Sequence, residues 1–417
     1  MTVAATAVLM IPVFGFGLAF STPPRLQTWH GDSDSIPTFH LRGPTVRIGS
    51  VGDSAYAFGT VVAVTEGPNG DLFSIHRNEP AVHRWTPDGK AMGTIGRRGR
   101  GPGEFLLPSG LGFFGDTLWV MDVAAQRASY FGADGTFLHS AEPRVAVAPS
   151  PTNPAALVPH PERPLRDGRW FGRGSGRAVD LASGRLSSVP FVSMDSTGAL
   201  LDTMWVQHYK PYDVLVVPVE PPQHYAYVSQ PFGDRPLTGI DADGMLLVVG
   251  RRVAKSGAGP NAHFSVTRVD ERGDTILHVS YPYQPLGPTR QWVRSVTATM
   301  ARQAYDAQQI ARWGQTESQF EKDVADRLFV PPSLPPVRRF LLGADGSVWL
   351  MRFDPVDQRQ AWWLIDTEGR PWRWVVPSGN LRILWAGRDH VWGVVADPLG
   401  VNYIVRYEIE PDMGEGS

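Results

Sequence analysis

Two aromatic stretches of the sequence carry side chains well suited to hold a ligand. One spans residues 205–212 and contains His208 and Tyr209, and the other contains His224 and Tyr225. Rigid amphipathic rings give large contact areas, and imidazole adds a polar group that titrates near neutral pH. We expect these four residues to line a ligand-binding face in an irregular connection of the chain. Packing of a long loop onto the domain explains the same pattern, so both interpretations stay open.

Two arginines are placed to bind an anion. Arg339 lies in the segment 338–342 and Arg382 begins the segment 382–385, and both segments are mainly apolar. A guanidinium presents a rigid fork of donors that matches a carboxylate or a phosphate. If both side chains face a central channel, replacing them should abolish the binding of an anionic ligand. Alternation along a strand could instead turn either side chain away from the channel.

The sequence contains no recognised pattern for catalysis or metal binding. Cysteine is absent, which excludes thiolate nucleophiles, disulfides and thiolate metal sites. The 11 histidines show no familiar ligand spacing. Residues 241–244 offer too few oxygen ligands for a calcium loop, and the serine within 172–176 is not centred as in a nucleophile elbow. The sequence therefore predicts no cofactor, no metal and no identifiable catalytic residue.

The elements that must position these side chains follow a repeat of strands and turns. In one copy, the segments 61–64, 69–75 and 82–85 are rich in Val, Ile, Leu, Phe and Trp, and the copy ends at Asp88-Gly89. Such runs bounded by Asp-Gly turns indicate strands, because glycine supplies the positive φ of a tight turn. Similar turn pairs return at residues 115–116, 134–135, 167–168, 197–198, 243–244, 272–273, 345–346 and 368–369. Repetition at about forty residues is typical of radial β architectures. We therefore predict an all-β fold, a six-bladed β-propeller with four-stranded blades.

The two ends of the repeat array predict how the ring closes. The last copy shows three clear strands, and an extra strand-like segment, 38–48, precedes the first copy. An N-terminal strand that completes the C-terminal blade would close the ring and hide the exposed edges. We expect this closure.

One segment breaks the β pattern. Residues 289–328 contain no proline, and apolar residues recur at helical spacing from Trp292 onward. A second helix is predicted to start at Thr316, with Gln319 at capping-box distance. We expect a helical insert between blades 4 and 5, where it either walls the central channel or packs on a blade edge.

The chain also carries segments outside the predicted propeller. Residues 1–21 are almost wholly apolar and are predicted to be a signal peptide or an N-terminal membrane anchor. Residues 22–37 are predicted as a linker, 38–411 as the propeller and 412–417 as a tail. We therefore expect an extracytoplasmic protein, either periplasmic or secreted. The formal net charge of −2 makes nucleic acid an unexpected partner, and a membrane would be reached only through an uncleaved N-terminal segment.

The glycine-rich run 95–105 ends in Gly-Pro-Gly-Glu-Phe. Together with the repeats, it resembles the NHL-repeat-like six-bladed β-propeller proteins that many bacteria export, over residues 38–410. The resemblance implies the fold and export but no defined activity. Related enzymes of the gluconolactonase, paraoxonase and peptidyl-hydroxyglycine lyase groups place metal ligands on their inner strands. Here the expected inner strands are mainly apolar, and only Glu66, Asn69 and Asp241 lie near their ends.

Three functions are compatible with these patterns. The first is an exported, non-catalytic propeller that binds a small molecule, a glycan or a protein partner through its top face and central channel. The second is a metal-dependent lactonase- or lyase-like enzyme, and the third is a structural scaffold of the cell envelope. Arg97, Arg98 and Arg100 form too short a run for RNA binding, and we expect them to be solvated or paired with Glu104. We expect the first function, because the inner strands offer a poor cage for a cation.

Overall fold

The protein is built mainly of β-strands. The structure, a computed structural model, describes residues 25–31, 35–49, 59–77, 79–143, 159–174, 188–208, 214–219, 224–251, 262–305, 314–353, 360–376 and 381–411. Within these ranges the chain forms 27 strands and two helices. The predicted all-β class is confirmed.

The strands of the first half of the chain are short and are joined by tight turns. In chain order they are β1 (Arg25–Thr28), β2 (Thr38–Ile48), β3 (Val61–Glu66), β4 (Leu72–His76), β5 (Val82–Trp85), β6 (Ala91–Ile95), β7 (Pro108–Phe114), β8 (Thr117–Asp122), β9 (Arg127–Gly132), β10 (Phe137–Ala141), β11 (Pro159–Pro164), β12 (Trp170–Gly174), β13 (Ser188–Met194) and β14 (Leu200–His208).

The second half continues this pattern and adds the helices. Its strands are β15 (Val214–Val219), β16 (His224–Ser229), β17 (Leu237–Ile240), β18 (Leu246–Gly250), β19 (Ala262–Val269), β20 (Thr275–Tyr283), β21 (Arg339–Leu342), β22 (Val348–Phe353), β23 (Gln360–Ile365), β24 (Pro371–Val376), β25 (Arg382–Ala386), β26 (His390–Ala396) and β27 (Asn402–Pro411). The helices α1 (Arg290–Ala304) and α2 (Glu317–Arg327) both lie between β20 and β21.

The sheets show a propeller arrangement. Four separate sheets each contain four consecutive antiparallel strands: β3–β6, β7–β10, β11–β14 and β17–β20. The strands β21–β24 and β25–β27 belong to one eight-stranded sheet, because β2 pairs with both β24 and β27. The structure therefore has four separate blades in its described part. The predicted six separate blades are not found, since β2 joins the last two groups of strands.

Asp-Gly turns end many of the strands. Asp270 Oδ1 accepts the N–H groups of Arg272 over 3.0 Å and Asp274 over 2.8 Å, and Gly273 has a φ of +86°. Residues with a Cβ rarely adopt this φ, so glycine is required at the turn. Asp241 accepts two backbone N–H groups in the same way. The turn chemistry predicted from the sequence is confirmed, including the reading of residues 241–244 as a turn.

The N-terminal strand β2 joins the two ends of the array. It runs antiparallel to β27, with Leu41 opposite Ile409 and Ile48 opposite Ile404. It also pairs in parallel with β24 through residues 38–40. The predicted pairing of an N-terminal strand with the C-terminal blade is confirmed.

Part of the segment 22–37, predicted as a linker, is a strand. β1 adds to the edge of the β17–β20 sheet and runs parallel to β20, with Arg25 opposite Leu277. All four residues of β1 are exposed. The strand is held by main-chain pairing and not by an apolar face, which explains why hydrophobic alternation gave no signal for it.

Apolar clusters fill the spaces between successive sheets. One joins Phe73 of β4 to Phe131 of β9, and another joins Trp119 of β8 to Trp170 of β12. Further along, clusters join β18–β20 to β22 and β23, and β22–β24 to β25–β27. The strands at the end of the chain pack against those at the start, because β26 shares a cluster with β3–β5. The aromatic side chains supply much of this buried area.

The helices form at the predicted insert. Thr289 accepts the N–H of Trp292 and caps α1, and Thr316 forms a capping box with Gln319 at the start of α2. Both N-termini therefore satisfy backbone donors that a helix leaves unpaired. An apolar cluster joins the helices to the hairpin formed by β15 and β16, and its buried members are Leu215, Val217, Val228, Ala301, Phe320 and Val324.

Tyr130 in β9 offers a test of the interior packing. Burial raises the pKa of its phenol from 10.0 to about 12. The unfolded chain has the lower pKa, so this tyrosine favours the folded state below about pH 10 and that contribution is lost as the pH rises toward about 12. Between about pH 8 and about pH 11, the protein should lose about 1 kcal/mol more unfolding free energy than the Tyr130→Phe variant. Urea unfolding of both proteins at each pH measures this difference, and equal losses would contradict it.

Candidate functional site

The inner strands of the sheets begin at one end of the domain. β17, β21, β25, β3 and β7 are neighbours in that order around the centre. At their first residues, Arg382 Nη2 donates to the carbonyl of Val61 over 2.8 Å. Arg251, which follows β18, donates through Nη1 to the carbonyl of Val337 over 3.1 Å. These bonds tie successive sheets together at this end, which we call the upper end of the domain.

Three arginines gather at the upper end. Arg77 follows β4, and its N–H donates to the carbonyl of Thr60 over 2.8 Å, while Arg339 and Arg382 begin β21 and β25. Burial, followed by the charges of Arg339 and Arg77, lowers the pKa of Arg382 below its usual value. The side chains of Arg77 and Arg339 are exposed. We call Arg77, Arg339 and Arg382 the arginine cluster.

Among the described residues, the arginine cluster has no acidic partner. Within the described ranges, no carboxylate forms a salt bridge with any of its three members. Other arginines of the chain are paired, such as Arg97 with Glu104 at 2.9 Å, which confirms the pairing expected for that residue. The structure thus brings Arg339 and Arg382 together, as the sequence analysis required for anion binding. It adds Arg77, which the sequence did not single out.

The helical insert reaches the upper end. The guanidinium of Arg338 lies 5.4 Å from the ring centre of Trp292 in α1. Trp292 in turn packs against Phe232, with ring centres 5.1 Å apart. Burial, followed by the charge of Arg339, lowers the pKa of Arg338. α1 therefore contacts Arg338, the residue that precedes Arg339 of the arginine cluster.

A cavity of about 430 Å³ lies between β14 and the β17–β20 sheet. Its wall includes Trp205, Gln207 and His208 at the end of β14, and His263 and His278 from β19 and β20. The volume falls in the range of small-molecule sites, roughly 300–1,000 Å³. His208, one of the predicted ligand residues, therefore lines a cavity. The members of the arginine cluster are not among its lining residues.

The remaining predicted ligand residues belong to another part of the structure. His224 and Tyr225 begin β16, where they lie opposite Val219 and Pro218 of β15. Tyr209 lies outside the described residues. The aromatic stretches were predicted to lie in an irregular connection. This is wrong for residues 205–208 and 224–225, which lie in β14 and β16, whereas residues 209–212 lie outside the described residues. Aromatic and β-branched residues favour strands. This preference predicts β14 and β16 better than the local lack of Asp-Gly turns, which suggests an irregular connection.

Two histidines and a glutamate meet at the hairpin between β4 and β5. His76 ends β4, Glu79 lies in the connection, and His83 is the second residue of β5. Glu79 Oε1 lies 3.6 Å from His76 Nδ1, and Glu79 Oε2 lies 2.8 Å from His83 Nε2. One ligand atom from each residue lies within 4.8 Å of the other two. We call these three residues the His–Glu cluster.

The surroundings of His76 fix its ring. Its Nε2 lies 3.0 Å from Ser74 Oγ, which accepts the indole N–H of Trp85 over 3.0 Å. The imidazole stacks on that of His83, with ring centres 4.3 Å apart. Burial, followed by the charge of His83, lowers the pKa of His76 to about 3. The ring is therefore neutral at physiological pH, and neutral imidazole is the form that binds metals.

Sequence analysis missed the His–Glu cluster and predicted no metal site. His76 and His83 are seven residues apart, an odd spacing that would put them on opposite faces of one continuous strand, although it would fit one face of a helix. They meet because the hairpin places Ser74 opposite His83, so that His76 lies beyond the end of this pair. The available signal was the position of both histidines on either side of a predicted turn.

The inner-strand residues considered as metal ligands have other roles. Glu66 Oε2 accepts the indole N–H of Trp392 over 2.7 Å and lies 2.6 Å from His390 Nε2. Asp241 stabilises its own turn. In the part of the chain that the structure describes, only the His–Glu cluster brings three potential metal-ligating side chains together. A metal cage on the inner strands, as in the lactonase and lyase groups, is therefore not seen among these residues.

Comparison with solved structures finds β-propeller proteins of low sequence identity. A presumed exported protein from Bacteroides fragilis is 13% identical, with a TM-score of 0.45, and the match covers 93% of this chain and 99% of that one. A member of the duf4221 family from Bacteroides vulgatus is 10% identical, with a TM-score of 0.43 and coverages of 90% and 99%. Virginiamycin B lyase from Staphylococcus aureus is 11% identical, with a TM-score of 0.35 and coverages of 89% and 99%.

These similarities do not define a family, an activity or a ligand for this chain. No protein-family model matches the sequence, and no curated protein shows significant similarity to it. The resemblance to NHL-repeat-like proteins therefore stays a prediction. Neither α1 nor α2, the helices of the described part, is long and apolar enough to span a membrane.

Proposed function

We propose that the protein is an extracytoplasmic binding propeller that holds an anionic ligand at its upper end. The arginine cluster supports this proposal. The guanidinium groups of Arg339 and Arg77 lie close enough to that of Arg382 to lower its pKa. Such an arrangement is electrostatically costly unless it is compensated, and no described carboxylate forms a salt bridge with any of the three arginines. A bound carboxylate, phosphate or sulfate group would compensate the three charges.

The chemistry of the cluster favours a ligand with several acceptor oxygens. Arginine forms paired hydrogen bonds with planar or tetrahedral oxyanions, and charge-assisted bonds are about twice as strong as neutral ones. Arg77 and Arg339 are exposed and can reorient toward a ligand, whereas Arg382 is held by its bond to the carbonyl of Val61. A small acidic molecule or an acidic glycan fits this arrangement. Catalysis is not part of this function.

The proposal includes six blades and location outside the cytoplasm. The strands β21–β24 form one group of four, and β25–β27 together with β2 form another. An apolar cluster packs between these two groups, as other clusters pack between the other sheets. Counting them as two blades gives six. The location rests on the apolar segment 1–21, which lies outside the described residues.

Binding of anions to the full chain tests the proposal. Citrate, inorganic phosphate and polygalacturonate present carboxylates, a phosphate and an acidic glycan, and dextran provides an uncharged control. We expect one of the three anions to bind, with an affinity that falls as salt is added. Arg339→Gln and Arg77→Gln should each weaken binding about 10-fold or more, since a hydrogen bond to a charged group contributes roughly 1.5–3 kcal/mol. Isothermal titration calorimetry measures the dissociation constants.

The matched control is Arg370→Gln, which removes the same charge at the turn between β23 and β24. Arg370 is exposed and pairs with Asp366 at 2.9 Å, and the antiparallel register places this turn at the opposite end of its sheet from Arg339. This variant should bind like the unmodified protein. Failure of all three anions to bind would refute the proposed function. It would also be refuted if the Arg339→Gln and Arg77→Gln variants bound the anion as tightly as the unmodified protein. Circular dichroism of each variant establishes that the fold is kept.

A further inference from the structure

The His–Glu cluster combines the ligand types of a transition-metal site. Two imidazole nitrogens and one carboxylate oxygen suit zinc and the neighbouring first-row divalent ions, whereas calcium and magnesium prefer oxygen ligands alone. The chain has no cysteine that would provide a competing thiolate site. The chemistry of the three donors therefore selects a borderline divalent metal.

The distances within the cluster are compatible with a shared ion. Ligand atoms about 2.0–2.1 Å from a tetrahedral zinc lie roughly 3.3 Å from one another. The separation of Glu79 Oε1 from His76 Nδ1 is 3.6 Å, and that of Glu79 Oε2 from His83 Nε2 is 2.8 Å. An ion between these atoms would replace the proton that Glu79 and His83 now share. Only small movements of the exposed ends of the two side chains are required.

The partners of His76 supply the outer support that metal-ligating histidines need. When Nδ1 binds a metal, Nε2 carries the proton, and Ser74 Oγ lies 3.0 Å away to accept it. Ser74 is itself held by the indole N–H of Trp85. This chain of contacts fixes the ring orientation of a fully buried ligand. The backbone N–H of Glu79 donates to the carbonyl of His76 over 3.3 Å, and this bond keeps Glu79 close to His76.

The cluster also leaves an open side. The side chain of His76 is 0% exposed, that of His83 is 19% exposed and that of Glu79 is 37% exposed. An ion held by three protein ligands retains a fourth position, and that position would face solvent beyond Glu79 and His83. The site lies on the hairpin that also carries Arg77 of the arginine cluster.

We propose that His76, Glu79 and His83 bind one divalent first-row transition-metal ion, with Zn²⁺ as the probe. This site does not rest on the proposed anion-binding function, because it uses different residues and a ligand of opposite charge. Each proposal is tested by its own titration and its own variants. The His–Glu cluster without metal is a hydrogen-bonded group, so the two states of the cluster differ in a measurable way.

Metal titration of the full chain, produced without a polyhistidine tag and stripped with EDTA, tests the proposal. Competition with a chromophoric chelator should show one Zn²⁺ per chain and no comparable binding of Ca²⁺ or Mg²⁺. Co²⁺ should give the visible absorption bands of a low-symmetry four- or five-coordinate site. Glu79→Gln and His83→Gln should each weaken Zn²⁺ binding about 100-fold or more, since even outer-shell changes cost roughly 10–100-fold. Glu79 and His83 are chosen because they are less buried than His76, so their replacement should destabilise the fold less.

The matched control is His139→Gln. His139 lies in β10 and stacks on Tyr130, away from the His–Glu cluster in the sequence and in the sheets. This variant should keep both the stoichiometry and the Co²⁺ spectrum of the unmodified protein. Failure of the unmodified protein to take up Zn²⁺ would overturn the proposal, as would undiminished uptake by both cluster variants, which would assign the ion to another place.

Discussion

Replacement of Trp363 by alanine should remove about 4 kcal/mol from the free energy of unfolding. Trp363 in β23 is fully buried, and its ring lies 5.1 Å from that of Tyr281 and 5.4 Å from that of Trp29. Truncation of a buried tryptophan leaves a cavity that neighbours fill only in part, at a cost of roughly 3–5 kcal/mol. The guanidinium of Arg352 would also lose the aromatic face that lies 4.8 Å below it.

Two further variants separate packing from other effects. Trp363→Phe keeps an aromatic ring and removes an indole N–H that has no hydrogen-bond partner among the described residues, so its loss should be less than half as large. Leu399→Ala changes a side chain that is 88% exposed and should leave stability unchanged. Urea unfolding followed by circular dichroism measures all three. If Trp363→Ala lowers the free energy of unfolding by less than about 1 kcal/mol, the contacts of Trp363 do not anchor the packing of β23 on the β17–β20 sheet.

Glu66→Ala should cost about 3 kcal/mol, a large effect for a polar residue. The carboxylate connects β3 to β26, accepting from the indole N–H of Trp392 and lying beside His390. Trp392 is 1% exposed, so its N–H cannot turn to water once the acceptor is gone. A buried donor left without a partner costs roughly 1–3 kcal/mol, and the lost bond to His390 adds to this.

A carboxamide and a surface pair provide the comparison for this prediction. Glu66→Gln keeps an oxygen for Trp392 and should recover most of the stability. Glu162→Ala removes a carboxylate from an exposed pair with Arg173 and should cost less than about 1 kcal/mol. If Glu66→Ala and Glu162→Ala lose the same amount of unfolding free energy in urea, the carboxylate of Glu66 does not connect β3 to β26 as described.

The sequence predicted the features that depend on local chemistry. Gly273 and its counterparts mark turns because few other residues adopt their φ, and Thr316 and Gln319 mark a helix start because a capping box needs both. The positions of Arg339 and Arg382 at the start of inner strands also followed from the apolar runs. We could expect Arg339 and Arg382 to lie close together only by assuming that the ring of strands closes.

Other features depend on contacts between distant residues, and these were missed or misread. β1 pairs through its backbone at a sheet edge and shows no apolar pattern. β2 pairs on both sides, so two groups of strands merge into one sheet. The His–Glu cluster forms only through the register of a hairpin, which sequence spacing does not encode. In each case the decisive information is which strands pair, and in what register.

The double pairing of β2 has a consequence for when the protein can fold. Phe39 lies opposite Pro411, so β2 meets this partner only after all the residues between them have been synthesised. Contacts over such a long sequence separation form slowly, because the chain must first close a very large loop. Until then, the edge of β2 that pairs with β27 stays unpaired and can join other chains. The interval between synthesis of β2 and arrival of β27 is therefore the period in which we expect the nascent chain to be most prone to aggregation.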